Sequence, residues 1–206
     1  VAAVKFGFNA WGDRWHPNGD DAMLPDRIAD HLGMRLFRAP MILEGGAVFV
    51  DGEGTLITTE QCLLDPNRNP DLSRAQIEGH LRDFLGVTTI VWLPNGHVLD
   101  TGPEGTDGHV DGVAQYLGPG RILLEAPTDP TADAWAGGQA NLAALAATTD
   151  ARGRAFDVTV MDPGRDPGVS YANHYLANGA VIVPTGGDTN DEPMLAFLAS
   201  VYPGRE

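Results

Sequence analysis

The chain has 206 residues, with 28 acidic against 13 basic side chains and a formal net charge of −15, which excludes a nucleic-acid binder that works by neutralising phosphates. Hydrophobic residues make up 43% and charged residues 20%, too apolar for a disordered chain and long enough for one substantial core. No run of about 18 apolar residues occurs, no leader of basic and then apolar residues opens the chain, and a single cysteine, Cys62, excludes an internal disulfide and every multi-cysteine metal site. The expectation is one cytoplasmic domain over 1–206, with no membrane partner.

Taken in chain order, residues 1–9 read as a strand, 23–32 as a helix and 34–38 as its closing strand. Residues 47–51 and 55–58 are short β-type runs joined at Gly52-Glu53-Gly54, a hairpin. A helix follows, with Ser73 and Gln76 placed as a capping box and Ile77, Leu81, Phe84 and Leu85 at helical spacing. A strand over 88–93 completes the unit. The same order returns as a strand over 110–117, a turn at Gly118-Pro119-Gly120, a strand over 121–125, an alanine-rich helix over 135–148 and a strand over 156–161. A third unit has strands over 171–177 and 180–184, turned at Asn178-Gly179, and a helix over 191–201.

The unit is ββαβ, and its turns recur about 60 to 70 residues apart, long for a solenoid repeat and short for an independent domain. The expected fold is an α/β propeller of such units around a central site, with incomplete units at both ends. Those ends suggest a segment of a longer array, whose unpaired sheet edges would make it aggregate or pair.

Residues at the front of each hairpin would occupy equivalent places and converge on the axis. They are Leu43-Glu44-Gly45-Gly46, Thr106-Asp107-Gly108-His109-Val110-Asp111 and Ser170-Tyr171-Ala172-Asn173. On a strand, His109 and Asp111 would share one face. His109 there suits general acid and base work, Glu44 would orient its ring, and Asp111 would pair with a cation. Taken singly, His-x-Asp reads as a structural pair and Glu-Gly-Gly as a turn. Their recurrence at equivalent positions brings the functional reading level with that one.

Other features read as structural. His16 with Asp13, Asp20 and Asp21 is a solvated loop. Asp65, Asn67 and Asn69 alternate as in a calcium loop but lack its glycine and closing glutamate. Gly186-Gly187 precedes a helix whose Asp188, Asp191 and Glu192 repel phosphate. Trp11, Trp15 and Trp92 are core candidates, with Trp11 also placed to wall a pocket. Cys62 lies beyond the second strand of its hairpin and reads as a buried structural thiol, not a nucleophile.

Several motifs occur together in order: Phe6-Gly7-Phe8-Asn9-Ala10-Trp11-Gly12, Leu43-Glu44-Gly45-Gly46, Val50-Asp51-Gly52-Glu53-Gly54-Thr55, Thr58-Thr59-Glu60-Gln61-Cys62-Leu63-Leu64, Asn67-Arg68-Asn69-Pro70, Thr106-Asp107-Gly108-His109-Val110-Asp111 and Ser170-Tyr171-Ala172-Asn173. Across the whole chain they resemble the agmatine deiminase and bacterial peptidylarginine deiminase family, of the guanidine-modifying superfamily. The resemblance implies a five-bladed α/β propeller and a hydrolase that releases ammonia from a guanidinium group without metal or organic cofactor. It implies His109 as general acid and base, Glu44 as its partner and Asp111 as guanidinium ligand, with Gly108, Trp11 and Asn173 in the substrate pocket.

The family's nucleophilic cysteine lies beyond the position of Glu206, and a second guanidinium-binding aspartate lies before Val1. These 206 residues alone are therefore expected to be inactive. Within the chain, residues 99–105 and Gly112 depart from the family pattern, which bears on substrate preference. Agmatine is the first substrate, free and peptidyl arginine remain alternatives, and a homo-oligomer stays open. The reading from another class is a non-catalytic guanidine-binding or oligomer-forming remnant.

Overall fold

The computed structural model describes residues 1–165 and 167–206. Alternation along two apolar strands sets its core. In β4 (Thr55–Thr59), Leu56 packs with Met41, Cys62, Leu63, Ile77 and Leu81, while the next residue, Ile57, points the other way to Val91, Val110, Ile122 and Leu124. In β7 (Arg121–Glu125), Ile122 and Leu124 join the Ile57 cluster and Leu123 faces Met161, Tyr171 and Leu198. Strands buried on both faces are nearly continuous apolar runs, as these are.

β4 sits between β3 (Val48–Val50), antiparallel to it, and β5 (Thr89–Leu93), parallel to it. The parallel step needs a crossover, supplied by α4 (Arg74–Leu85). Its Ser73–Gln76 capping box forms, and Ile77 and Leu81 are its buried stripe. β6 (Ala114–Gly118), β7 and β8 (Asp157–Met161) repeat the same order and directions, with α5 (Trp135–Ala146) as the crossover. The ββαβ unit thus occurs twice. At the front, β1 (Ala2–Gly7) and β2 (Arg35–Ile42) are a parallel pair linked through the short turn α1 (Ala10–Asp13) and α2 (Gly19–His31). At the rear, β9 (Tyr175–Ala177) and β10 (Ala180–Ile182) form a hairpin followed by α6 (Asp191–Val201). Between them lies the short helix α3 (Glu60–Leu63).

Several expectations need correction. The strand expected over 110–117 starts only at Ala114, because Val110–Gly112 is a 3-10 turn closed by Val113 N–H on the Val110 carbonyl at 2.9 Å. The strand expected over 171–177 is confined to Tyr175–Ala177, since Tyr171 and Ala172 are bound outward to Asp191 and Glu125 instead of to a ladder. α2 begins four residues earlier than 23 and β2 runs on to Ile42. Trp92 is in the core, but Trp15 is 50% exposed. Among the described residues no helix is long and apolar enough to cross a membrane.

A candidate active site at the front of the hairpins

Two 3-10 turns meet above β3 and β6: Gly45–Ala47, preceded by Glu44, and Val110–Gly112, preceded by His109. Glu44 and His109 are both buried, and Glu44 Oε2 lies 3.2 Å from His109 Nε2. A carboxylate there accepts the Nε2 proton, and Nδ1 takes no part in that bond. His109 and Asp111 do converge, but not through strand alternation. The tight turn brings Nδ1 and the Asp111 carboxylate together over Gly46, where an added Cβ would stand 2.7 Å from Nδ1 and 2.2 Å from Asp111 Oδ2.

Gly46 therefore makes room for whatever these two groups hold. Gly46→Ala should displace the ring and the carboxylate and weaken whatever binding they provide by roughly tenfold or more, with a stability loss of about 1–3 kcal/mol. Gly45→Ala, whose Cβ meets nothing within 4 Å, should change neither in calorimetric titration and thermal melts. Equal affinities for the two variants would refute the crowding argument.

His109 and Asp111 sit between two cavities. One, of about 670 Å³, is walled by Phe6, Phe8, Trp11 and Leu43, with Glu44 and Gly46 at its base. The other, of about 440 Å³, has a more mixed lining that includes Asp100, Ser170 and Asn173 beside Leu99, Val169 and Pro184. Trp11, stacked edge-on to Phe8 at 5.0 Å between centroids, belongs to the first. Asn173 belongs to the second, so the two pocket residues stand on opposite sides of the histidine. Gly108 lines neither. Its φ of +84° suits glycine, and it is packed between Gln61 and Gly96, where a Cβ on Gly96 would lie 2.2 Å from the Gly108 Cα.

Beneath this layer lies a buried ion network to which the sequence reading assigned no role. Arg68, with 0% side-chain exposure, gives Nε to Glu44 Oε1 at 2.8 Å and Nη1 to Asp107 Oδ2 at 2.8 Å. Arg14 pairs with the other Asp107 oxygen. Asp100 accepts the His109 backbone N–H at 2.9 Å. The only hint in the sequence is an arginine set between two asparagines in a chain with few cations.

Burial works against ionised Asp107, but hydrogen bonds from Asn67 and Arg68 and the charge of Arg14 outweigh it and hold its carboxyl below the usual range. Asp111 goes the other way. Burial raises it and the Asp100 charge adds to this, against the opposing effect of His109.

Cys62 is fully buried, as expected, yet it lies directly behind the site and not away from it. Thr59 caps α3 through Cys62 N–H at 3.3 Å and turns Sγ to 4.0 Å from Glu44 Oε2. Burial, and then the Glu44 charge, push its thiol far up, so it is protonated, and it lines neither cavity. Glu44, Cys62 and His109 are the one set of potential metal ligands within 4.8 Å of one another among the described residues. With the thiol protonated and Arg68 on Glu44, the trio is a hydrogen-bonded cluster.

The remaining sequence candidates are structural. His16 contacts only Asp13, in solvent. Asp65 caps Asn67 N–H, as a self-bonded loop does. The N–H groups of Gly186 and Gly187 are taken by Asp191.

The repeated α/β units thus present a buried histidine–glutamate pair and a neighbouring aspartate at one cluster of turns. The family described as Porphyromonas-type peptidyl-arginine deiminase matches residues 1–206, and the chain belongs to it. The agmatine deiminase of Pseudomonas putida F1 is 39% identical over 236 aligned positions, covering 100% of this chain and 63% of that protein. The structure of Enterococcus faecalis agmatine deiminase superposes with a TM-score of 0.88 at 33% identity, over 98% of this chain and 62% of that one. A substrate-bound agmatine deiminase of C. jejuni gives 0.83 at 29% identity, over 98% of this chain and 60% of that one. The chain thus spans a little under two thirds of the length of these relatives.

Proposed function

We propose that the protein carrying this chain is a guanidine hydrolase that converts agmatine and water to N-carbamoylputrescine and ammonia, a step towards putrescine and the polyamines. The observation that supports it most is the open Nδ1 of His109 beside Asp111, at the floor of a largely apolar cavity suited to a methylene chain. Asp111 binds the guanidinium in a charge-assisted, planar contact. His109 Nδ1 takes the proton of a thiol supplied by a cysteine outside these residues, and the resulting thiolate attacks the guanidinium carbon. His109 gives a proton to the departing nitrogen, which leaves as ammonia, and then takes one from water, whose oxygen attacks the amidino-thioether carbon and frees the thiolate. Glu44 stabilises the imidazolium that each proton uptake forms. The arrangement of the units as a propeller around this site, and a cytoplasmic location, belong to the same reading.

A second reading, guanidine binding or self-association without turnover, is favoured by one observation: no thiol among the described residues opens on either cavity. Assays of ammonia and ureido product with agmatine, arginine and an arginyl peptide, on the whole protein carrying this chain, separate the two. Turnover with agmatine as the best substrate is the expected result. Calorimetric binding without turnover would establish the second reading, and neither would overturn both.

The pH dependence follows from Asp111. A guanidinium stays charged throughout, so binding needs the carboxylate, and the raised Asp111 is protonated sooner as pH falls. Affinity should be full well above its pKa and be lost while the pH is still above the ordinary aspartate value of about 3.9. Affinity unchanged down to that value would contradict the assignment.

A further inference from the structure

We propose that Arg68 is the positioning residue of this site: it fixes the Glu44 carboxylate and offsets its charge, so that His109 stands neutral, with its Nε2 proton towards Glu44 and its Nδ1 lone pair towards the cavity. This rests on the roles of Glu44 and His109 given above.

The charges around the ring make the case. Glu44 meets Nε2 from the turn before β3, Asp111 flanks Nδ1 from the ring's own turn, and Asp100 holds the His109 backbone from the loop after β5. Cys62 on α3 is a neutral thiol, and Asp107 stands one layer further back. A carboxylate near an imidazole favours the charged ring, and a countercharge on that carboxylate works against this. Arg14 answers Asp107 on its outer side. Among the described residues, Arg68 is the cation in contact with the carboxylate that touches the ring.

Geometry adds direction to charge. The guanidinium is fixed on every side: Nε to Glu44 Oε1 at 2.8 Å, Nη1 to Asn67 Oδ1 at 2.6 Å and Asp107 Oδ2 at 2.8 Å, and Nη2 to the Thr106 carbonyl at 2.7 Å. A rigid fork so held occupies Oε1 and leaves Oε2 facing the histidine, with the Cys62 thiol 4.0 Å away. The next residue, Asn69, clamps the strand end leading into Glu44, bonding Ile42 N–H at 2.8 Å and its carbonyl at 3.0 Å.

A second buried pair, His97 and Glu125, shows what the arrangement is like without an arginine. Nε2 of His97 lies 3.1 Å from Glu125, but its Nδ1 accepts the Leu99 N–H at 3.2 Å, and Glu125 is satisfied by the Ala172 N–H at 2.7 Å. Both nitrogens of that ring are bonded within the fold. The arginine accompanies the ring that has one nitrogen open.

The test is nitrogen-15 NMR of the imidazoles in the whole protein carrying this chain at neutral pH, with His109 assigned through His109→Gln. The wild type should give a neutral ring protonated at Nε2. Arg68→Lys keeps the charge but replaces the fork by a single point, so Glu44 turns away and Asp111 competes for a proton on Nδ1. The Nδ1-protonated form should then rise to about a tenth of the population or more. Arg68→Gln removes the charge, and the ring should hold its second proton to a proton concentration roughly tenfold lower or beyond. An Arg68 with only a structural role would lower the melting temperature of both variants and leave the ring unchanged. A wild-type nitrogen pattern in folded Arg68→Gln overturns the proposal. If that variant does not fold, a wild-type pattern in Arg68→Lys overturns it alone. Because no turnover is read, the result stands apart from the agmatine assay.

Discussion

His109→Ala in the whole protein should lower agmatine hydrolysis by about 10²–10⁴-fold, the usual contribution of a positioned acid and base, with little effect on folding. The side chain makes one hydrogen bond, to Glu44, and Glu44 keeps Arg68 when the ring is gone. The stability cost should therefore be near that of one hydrogen bond, about 1 kcal/mol. His97→Ala is the control, because its ring joins the loop after β5 to Glu125 and caps Leu99. That change should reduce the melting temperature and leave turnover per folded molecule unaltered. Steady-state rates and thermal melts on both variants decide the matter, and undiminished turnover in His109→Ala would remove the histidine from the mechanism.

Arg68→Met should cost about 3–5 kcal/mol of stability, because it takes the shared buried cation from Glu44 and Asp107 and leaves Asp107 only Arg14 and Asn67. The effect has a sign in pH. In the wild type the Asp107 pKa is depressed, so its contribution is present above the unfolded value and is lost as pH falls through the folded one. Without Arg68 that depression is reduced, and a proton on the carboxyl relieves the stranded charge. The gap between variant and wild type should shrink as pH falls from 7 towards the carboxylate range. Denaturant melts across that range measure it; a gap that widened on acidification would show that the arginine does not act through these carboxylates.

The two complete units were legible because their evidence is local. Leu56-Ile57 and Ile122-Leu123-Leu124 carry the alternation of strands buried on both faces, while Ile77 and Leu81 carry a helical stripe closed at its front by Ser73 and Gln76. The polar cluster before each hairpin was legible for a similar reason: its members recur in step with the repeat. Glu44, His109 and Asp111 were singled out on that ground alone, and the structure brings the three together.

How they meet was not legible. The strand assigned to His109 and Asp111 gives way to a 3-10 turn, because Asp107 and Gly108 take positive φ and Asp100 captures the His109 N–H. Cys62 was placed away from the site by its position beyond the second strand of its hairpin, and the cap on α3 brings it back behind Glu44. Arg68 drew no role, although it bonds both Glu44 and Asp107. By itself the sequence determined the apolar faces, the caps, the turns and the residue types of the site, since each is fixed within a few positions by backbone geometry and burial. Only the tertiary structure decided which carboxylate the buried arginine neutralises and which histidine keeps an open nitrogen. Those choices join residues 44, 68, 107 and 109, far apart along the chain, and no local periodicity records the partner of a buried charge.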